Sequence, residues 1–185
     1  MIRLLYYPTY SEKLISECYK ELGIFYPSQI DIERICQTQG IVYIEKPIYS
    51  HFAIIDEVKF IVVDKRLKQH EKKEHFFHEL VHVLLHSGIQ TSMSEYSLKM
   101  QEREARKYSR YALIPFHMLK FVDLTSNNAI QNIIETFNVS DEISKERYEE
   151  IEKKLKNKIS HDDHKNKKQE KFNVQMDKIN LQVVL

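Results

Sequence analysis

Residues 76–86 read FFHELVHVLLH, an apolar stretch interrupted by His78, Glu79, His82 and His86. On an α-helix, residues four apart lie one turn above each other on the same face, so His78 and His82 can direct imidazole nitrogens at one metal ion. Glu79, next to the first ligand, is then placed to reach a water at the ion's open position rather than the ion itself. This is the HExxH arrangement, in which two histidines hold zinc and the glutamate is the general base. The surroundings strengthen the reading. Phe76, Phe77, Leu80, Val81, Val83, Leu84 and Leu85 make the helix strongly apolar, and histidines and a carboxylate buried there are costly unless they have a partner such as a metal.

A catalytic zinc takes three protein ligands and leaves a position open. Nineteen residues separate His82 from Glu102, the candidate third ligand, in QEREARKY. Glu104 competes with it. Two helical residues turn side chains by about 200°, so only one of the pair faces a given point. Ala105, three residues after Glu102, shares its face and leaves room near the metal, which favours Glu102. Glu104 then reads as an exposed carboxylate supported by Lys107, and Arg106 as a residue able to orient Glu102 from the i+4 position. His86 is unsuited as a ligand. Two turns separate it from His78 by about 12 Å of rise, too far for both to meet one ion; it reads as a cap or hydrogen-bonding group near the helix end. His75 reads as exposed or supporting. Position 88 is glycine, so the longer pattern with a third histidine six residues after the second is absent. Tyr108, Tyr111 and His117 are the candidate side chains for stabilising an oxyanion, and nothing local selects among them.

The remainder of the chain supplies the frame. At 185 residues, with 42% hydrophobic residues and no apolar run long enough for a membrane span, it reads as a globular chain with one core. The start, MIRLLYYPTYSEKL, lacks the apolar core and cleavage site of a secretory signal. Cys18 and Cys36 form neither a disulfide framework nor a zinc knuckle and suit a reducing interior. A cytoplasmic protein with no membrane association is expected. A net charge of +1 gives no electrostatic footprint for nucleic acid, so direct binding of nucleic acid is not expected.

Helical spacing of Leu14, Ile15, Cys18, Tyr19 and Leu22 predicts a first helix, with Ser11 as N-cap and Gly23 as stop. A second, carrying Ile32, Ile35 and Cys36, is closed by Gly40. Three β-favouring runs follow at Ile41–Ile44, Phe52–Ile55 and Val58–Val63, with Asp56-Glu57 as a turn that lacks glycine. A β-rich run in place of a recognition helix argues against a DNA-binding helix-turn-helix. Helices are predicted from Glu71 to His86, from Tyr96 to Leu113 before Pro115, from Asn127 to Phe137, and from Ile143 to Ile159 with Tyr148, Ile151, Leu155 and Ile159 on one stripe. The order α-α-β-β-β-α-α-α-α is an α+β pattern. It predicts a mostly helical domain with a small three-stranded sheet and additional C-terminal helices. The expected division is a zincin-like core over 1–115 with the HExxH and third-ligand helices, a helical subdomain over 116–159, and a polar linker and tail over 160–185. Residues 160–171, SHDDHKNKKQEK, contain no apolar residue and read as solvated.

HELVHVLLH, EREARKYSRYALIP, the upstream IVYIEKP and FIVVDKRL, and FNVSDEISKER together resemble the ImmA/IrrE family of zinc metallopeptidases. That family's pattern is HELxHxxLH followed by E-x-E/Q-A-N-x-F-A-x-x-L-L-x-P, and the resemblance covers about residues 20–150. The departures are Val81 for glycine, Arg106 for asparagine, Tyr108 for phenylalanine and Ser109 for alanine; none removes a proposed ligand. The resemblance implies a zincin-like fold, a Zn2+ cofactor held by His78, His82 and Glu102, and Glu79 as catalytic residue. It also implies a substrate, a helix-turn-helix repressor whose cleavage releases phage or mobile-element genes. The alternative is a regulatory or sensor module that keeps the fold but works by binding a repressor or DNA, for which the lysines near 153–171 are the positive sign.

Overall fold

The structure is a computed structural model that describes residues 6–86 and 94–160, the side chains of 157–160 excepted. The polar connection after His86 and the tail from residue 161 lie outside the described residues. No described helix is long and apolar enough to cross a membrane. The fold is α+β, with six α-helices and one three-stranded sheet among the described residues. The described residues group into two compact units, one of residues 6–29 together with 114–160, the other Ile30–Leu113.

The second unit carries the HELVH segment. Helix α2 (Ile32–Gln39) is capped by Asp31, whose carboxylate accepts the Arg34 N–H at 2.7 Å, and is stopped by Gly40 at φ 62°. Glycine has no Cβ, so it takes this left-handed φ without the strain a side chain would bring. The sheet consists of β1 (Ile41–Lys46), β2 (His51–Ile55) and β3 (Val58–Asp64) in the order β1-β3-β2. β3 runs parallel to β1 and antiparallel to β2. The β2–β3 turn is made by Asp56 and Glu57, both left-handed at φ 48° and 66°, as a two-residue hairpin of matching twist requires. The register aligns Tyr43, Ile61 and Phe52 across the three strands, so they share a face. That face meets α3 (Gln69–Leu85): Tyr43 packs edge-on against Phe76, and Phe52 lies over His82. α3 buries Phe76, Phe77, Leu80, Val81 and Val83. Helix α4 (Glu95–Leu113) packs along it, burying Ala105, Tyr108, Tyr111 and Leu113.

The first unit contains α1 (Tyr10–Glu21), α5 (Ala129–Phe137), α6 (Asp141–Ser160) and two short 3-10 helices, Pro27–Gln29 and Phe116–Phe121. Two expectations are corrected here. The N-cap of α1 is Thr9 rather than Ser11, since Thr9 and Glu12 form a reciprocal capping box that satisfies two backbone donors. Of the stripe Tyr148, Ile151, Leu155 and Ile159, Ile151 is buried, but its buried neighbours on α6 are Ser144 and Arg147, while Tyr148 and Leu155 are only half-buried. The reason is an ion cluster. Arg147, with a side chain 0% exposed, lies 2.7 Å from Glu12 Oε1, and Lys154 lies 2.9 Å from Oε2. The Tyr6 hydroxyl donates to Glu12 at 2.5 Å. A paired, hydrogen-bonded guanidinium is buried where an unpaired one would not be.

Candidate metal centre

Glu102 on α4 reaches both histidines of α3. Its Oε1 lies 3.1 Å from His82 Nε2 and its Oε2 lies 3.4 Å from His78 Nε2, while the two Nε2 atoms are 3.2 Å apart. Ligands at zinc's usual bond length of about 2.05 Å in a tetrahedron are separated by about 3.3 Å. The triangle therefore has the dimensions that such an ion demands. Among the described residues, His78, His82 and Glu102 are a group of metal-ligating type whose ligand atoms converge. Ala105, 0% exposed, lets α4 approach α3 one turn beyond Glu102.

The electrostatics suit a cation. Burial pushes the pKa of both imidazoles down, helped at His82 by His78 and His86 and at His78 by the charges of Arg106 and His75; Glu102 opposes the shift at each. Neutral rings with free lone pairs are the ligand form. Glu79 moves the other way. Burial first, and then the charge of Glu102, raise its carboxyl to about 7, against the opposing effect of His51 and the Phe52 N–H, which donates to it. A carboxyl poised near neutrality is suited both to take and to return a proton.

His86 is no part of the triangle. It caps α3, and its Nδ1 lies 3.1 Å from Nδ1 of His82, on the ring edge away from the other two ligand atoms. Glu104 is only half exposed, and its Oε2 is 3.2 Å from His86 Nε2; Lys107, its expected support, instead lies over the Tyr108 ring. Tyr108 and Tyr111 are buried in α4. His117 belongs to the first unit, where its Nε2 faces the Ile24 carbonyl at 3.4 Å.

The sequence places a strand at Phe52–Ile55 but not its contact with the histidines of α3. The Phe52 ring stacks on His82 with centroids 5.7 Å apart and planes 9° from parallel. The alternation in FAII shows that Phe52 and Ile54 share a face, but not which helix that face meets.

Comparison with known proteins bears on this geometry. The Peptidase_M78 family model, described as the IrrE N-terminal-like domain, matches residues 36–149. The span runs from α2 through the first turns of α6 and includes all three triangle residues. The chain is 27% identical over 150 residues to the phage-like element PBSX protein XkdA of Bacillus subtilis, covering 80% of this chain and 76% of that one. It is 28% identical over 152 residues to the protein YqaB of the same bacterium, covering 81% and 88%.

Proposed function

The chain belongs to the Peptidase_M78 family, and from that premise we propose that it is a zinc-dependent endopeptidase that cleaves a helix-turn-helix repressor and so relieves repression of phage or mobile-element genes. The observation that carries the metallopeptidase reading is the triangle of His78 Nε2, His82 Nε2 and Glu102 carboxylate oxygens at 3.1–3.4 Å, with a near-neutral Glu79 beside it. The repressor substrate rests on the family resemblance. The phage-like element named for XkdA supports the genetic setting.

His78, His82 and Glu102 would hold the ion. When bound, it supplies a Lewis acid for a peptide carbonyl and lowers the pKa of water. The chain's own residues do the rest. Glu79 accepts a proton as water oxygen bonds to the carbonyl carbon, and it returns that proton to the amide nitrogen as the C–N bond breaks. The Phe52 N–H holds the Glu79 carboxylate in place. The Phe52 ring stacks on one face of His82. β2 pairs with β3 alone among the described residues, so its other edge offers backbone groups next to Glu79 and His82. An extended peptide is the substrate class that such an edge recognises.

The test is cleavage of the repressor encoded nearest the gene, by wild type and by Glu79→Gln. Wild type should produce fragments, and Glu79→Gln should keep its metal but lose roughly 10² to 10⁴ in rate. Equal derepression by both proteins with no fragment would mean action by binding, and the protease reading would fail.

A further inference from the structure

Three hydrogen-bonding groups in series lead away from the triangle. His82 presents Nε2 to His78 and Glu102, and its opposite nitrogen, Nδ1, is 3.1 Å from Nδ1 of His86. His86 in turn places Nε2 at 3.2 Å from Glu104 Oε2. The His82 and His86 side chains are 4% and 5% exposed, so neither ring exchanges this contact freely for water.

The proton positions follow from the end of the chain. A carboxylate only accepts, so His86 carries its hydrogen on Nε2. In a neutral ring that makes Nδ1 of His86 an acceptor, and the hydrogen between the two rings must come from Nδ1 of His82. His82 is thereby held as the Nδ1–H tautomer, with the lone pair of Nε2 directed into the triangle. The other tautomer could donate Nε2–H to Glu102 Oε1 at 3.1 Å, but it would set an N–H where the ion has to sit and leave two bare Nδ1 lone pairs facing each other at 3.1 Å.

We propose that His86 and Glu104 are a positioning pair that fixes the tautomer and orientation of His82 through this series of hydrogen bonds, and so sets the affinity of the centre for a divalent ion. The proposal rests on the metal-centre reading above. It gives the third histidine of HELVHVLLH a task without making it a ligand, and it gives Glu104 a task distinct from that of Glu102, two residues away. Supporting partners of this kind commonly change metal affinity by roughly 10- to 100-fold.

The experiment has two readouts. Long-range ¹H–¹⁵N NMR on metal-free protein reports the His82 tautomer, and competition with a chromophoric chelator reports zinc affinity. Wild type should show Nδ1–H at His82. His86→Leu removes the acceptor, and the tautomer preference should collapse with a 10- to 100-fold loss of affinity. His86→Asn puts a carbonyl oxygen near the position of Nδ1 and should keep both within about threefold of wild type, since a carbonyl serves the same orienting role. Glu104→Ala, at a half-exposed site that does not threaten folding, should shift both readouts in the same direction by a smaller factor. An Nε2–H tautomer at His82 in wild type, or equal affinities for the Leu and Asn variants, would overturn the proposal. Wild type with the expected tautomer but no zinc binding would instead overturn the metal-centre reading on which its affinity half depends.

Discussion

Replacing Glu79 by glutamine should make the metal-free protein more stable at alkaline pH. The Glu79 carboxyl is raised from its ordinary 4.5 to about 7 by burial and by the nearby charge of Glu102. A folded-state pKa above the unfolded one means that the folded state favours the neutral form. The associated stability is fully present below pH 4.5 and is lost as pH rises through 7. The shift, at 1.36 kcal/mol per pKa unit, corresponds to about 3 kcal/mol that wild type lacks at pH 8. A glutamine is neutral throughout, and its carbonyl can still accept the Phe52 N–H. The buried His82, whose pKa is pushed down, has the opposite sign: its contribution is present above the unfolded value and lost as pH falls. The variant therefore unmasks a rise in stability with pH that the two groups partly cancel in wild type. Urea unfolding of both chelator-treated proteins from pH 4.5 to 8.5, followed by circular dichroism, measures the difference. It should be near zero at the acid end and grow to about 3 kcal/mol at the alkaline end. A pH-independent difference, or a variant less stable at pH 8, would refute the reasoning that this carboxylate is held against its own solvation.

Glu12→Gln should destabilise the first unit by about 3–5 kcal/mol, because it takes the nearest carboxylate from the fully buried Arg147; a loss below about 1 kcal/mol in urea unfolding would show the cluster to be incidental. The same carboxyl is brought to about 2, since the charges of Arg147 and Lys154 and the hydrogen bonds from Tyr6 and Thr9 outweigh the effect of burial. Its contribution is thus present above the unfolded pKa and lost as pH falls from there toward 2. Glu57→Gly should stabilise the β2–β3 turn by about 1 kcal/mol, since Glu57 stands at φ 66°; a lowered Tm would contradict the turn assignment.

Much of the site was legible because its chemistry is local. His78, Glu79 and His82 lie on neighbouring turns of one helix, and the choice of Glu102 needed only the 200° that separates it from Glu104 and the small Ala105 on its face. The element order was legible too, since periodicity changes from 3.6 to 2 at Gly40 and back after Leu67. What escaped depends on contacts between distant parts of the chain. Arg147 has the composition of a surface residue until Glu12, from the other end of the sequence, is placed beside it. The central position of β3 and its parallel pairing with β1 leave no mark in IVYIEK or VKFIVVD. Glu104 read as a solvated carboxylate because its partner, His86, sits on another helix. Val81, the departure from the family's glycine, is 6% exposed and adds to the apolar packing of α3.

The central claim is that two residues of α3 and one of α4 hold a single ion with a position left open. Zinc K-edge X-ray absorption on stoichiometrically loaded protein tests it most directly. The account predicts one zinc per chain, coordinated only by nitrogen and oxygen at about 2.0–2.2 Å, with multiple scattering from two imidazoles and zinc lost on His82→Ala or Glu102→Ala. A sulfur scatterer at about 2.3 Å, a third imidazole, or zinc that stays in place without Glu102 would contradict it.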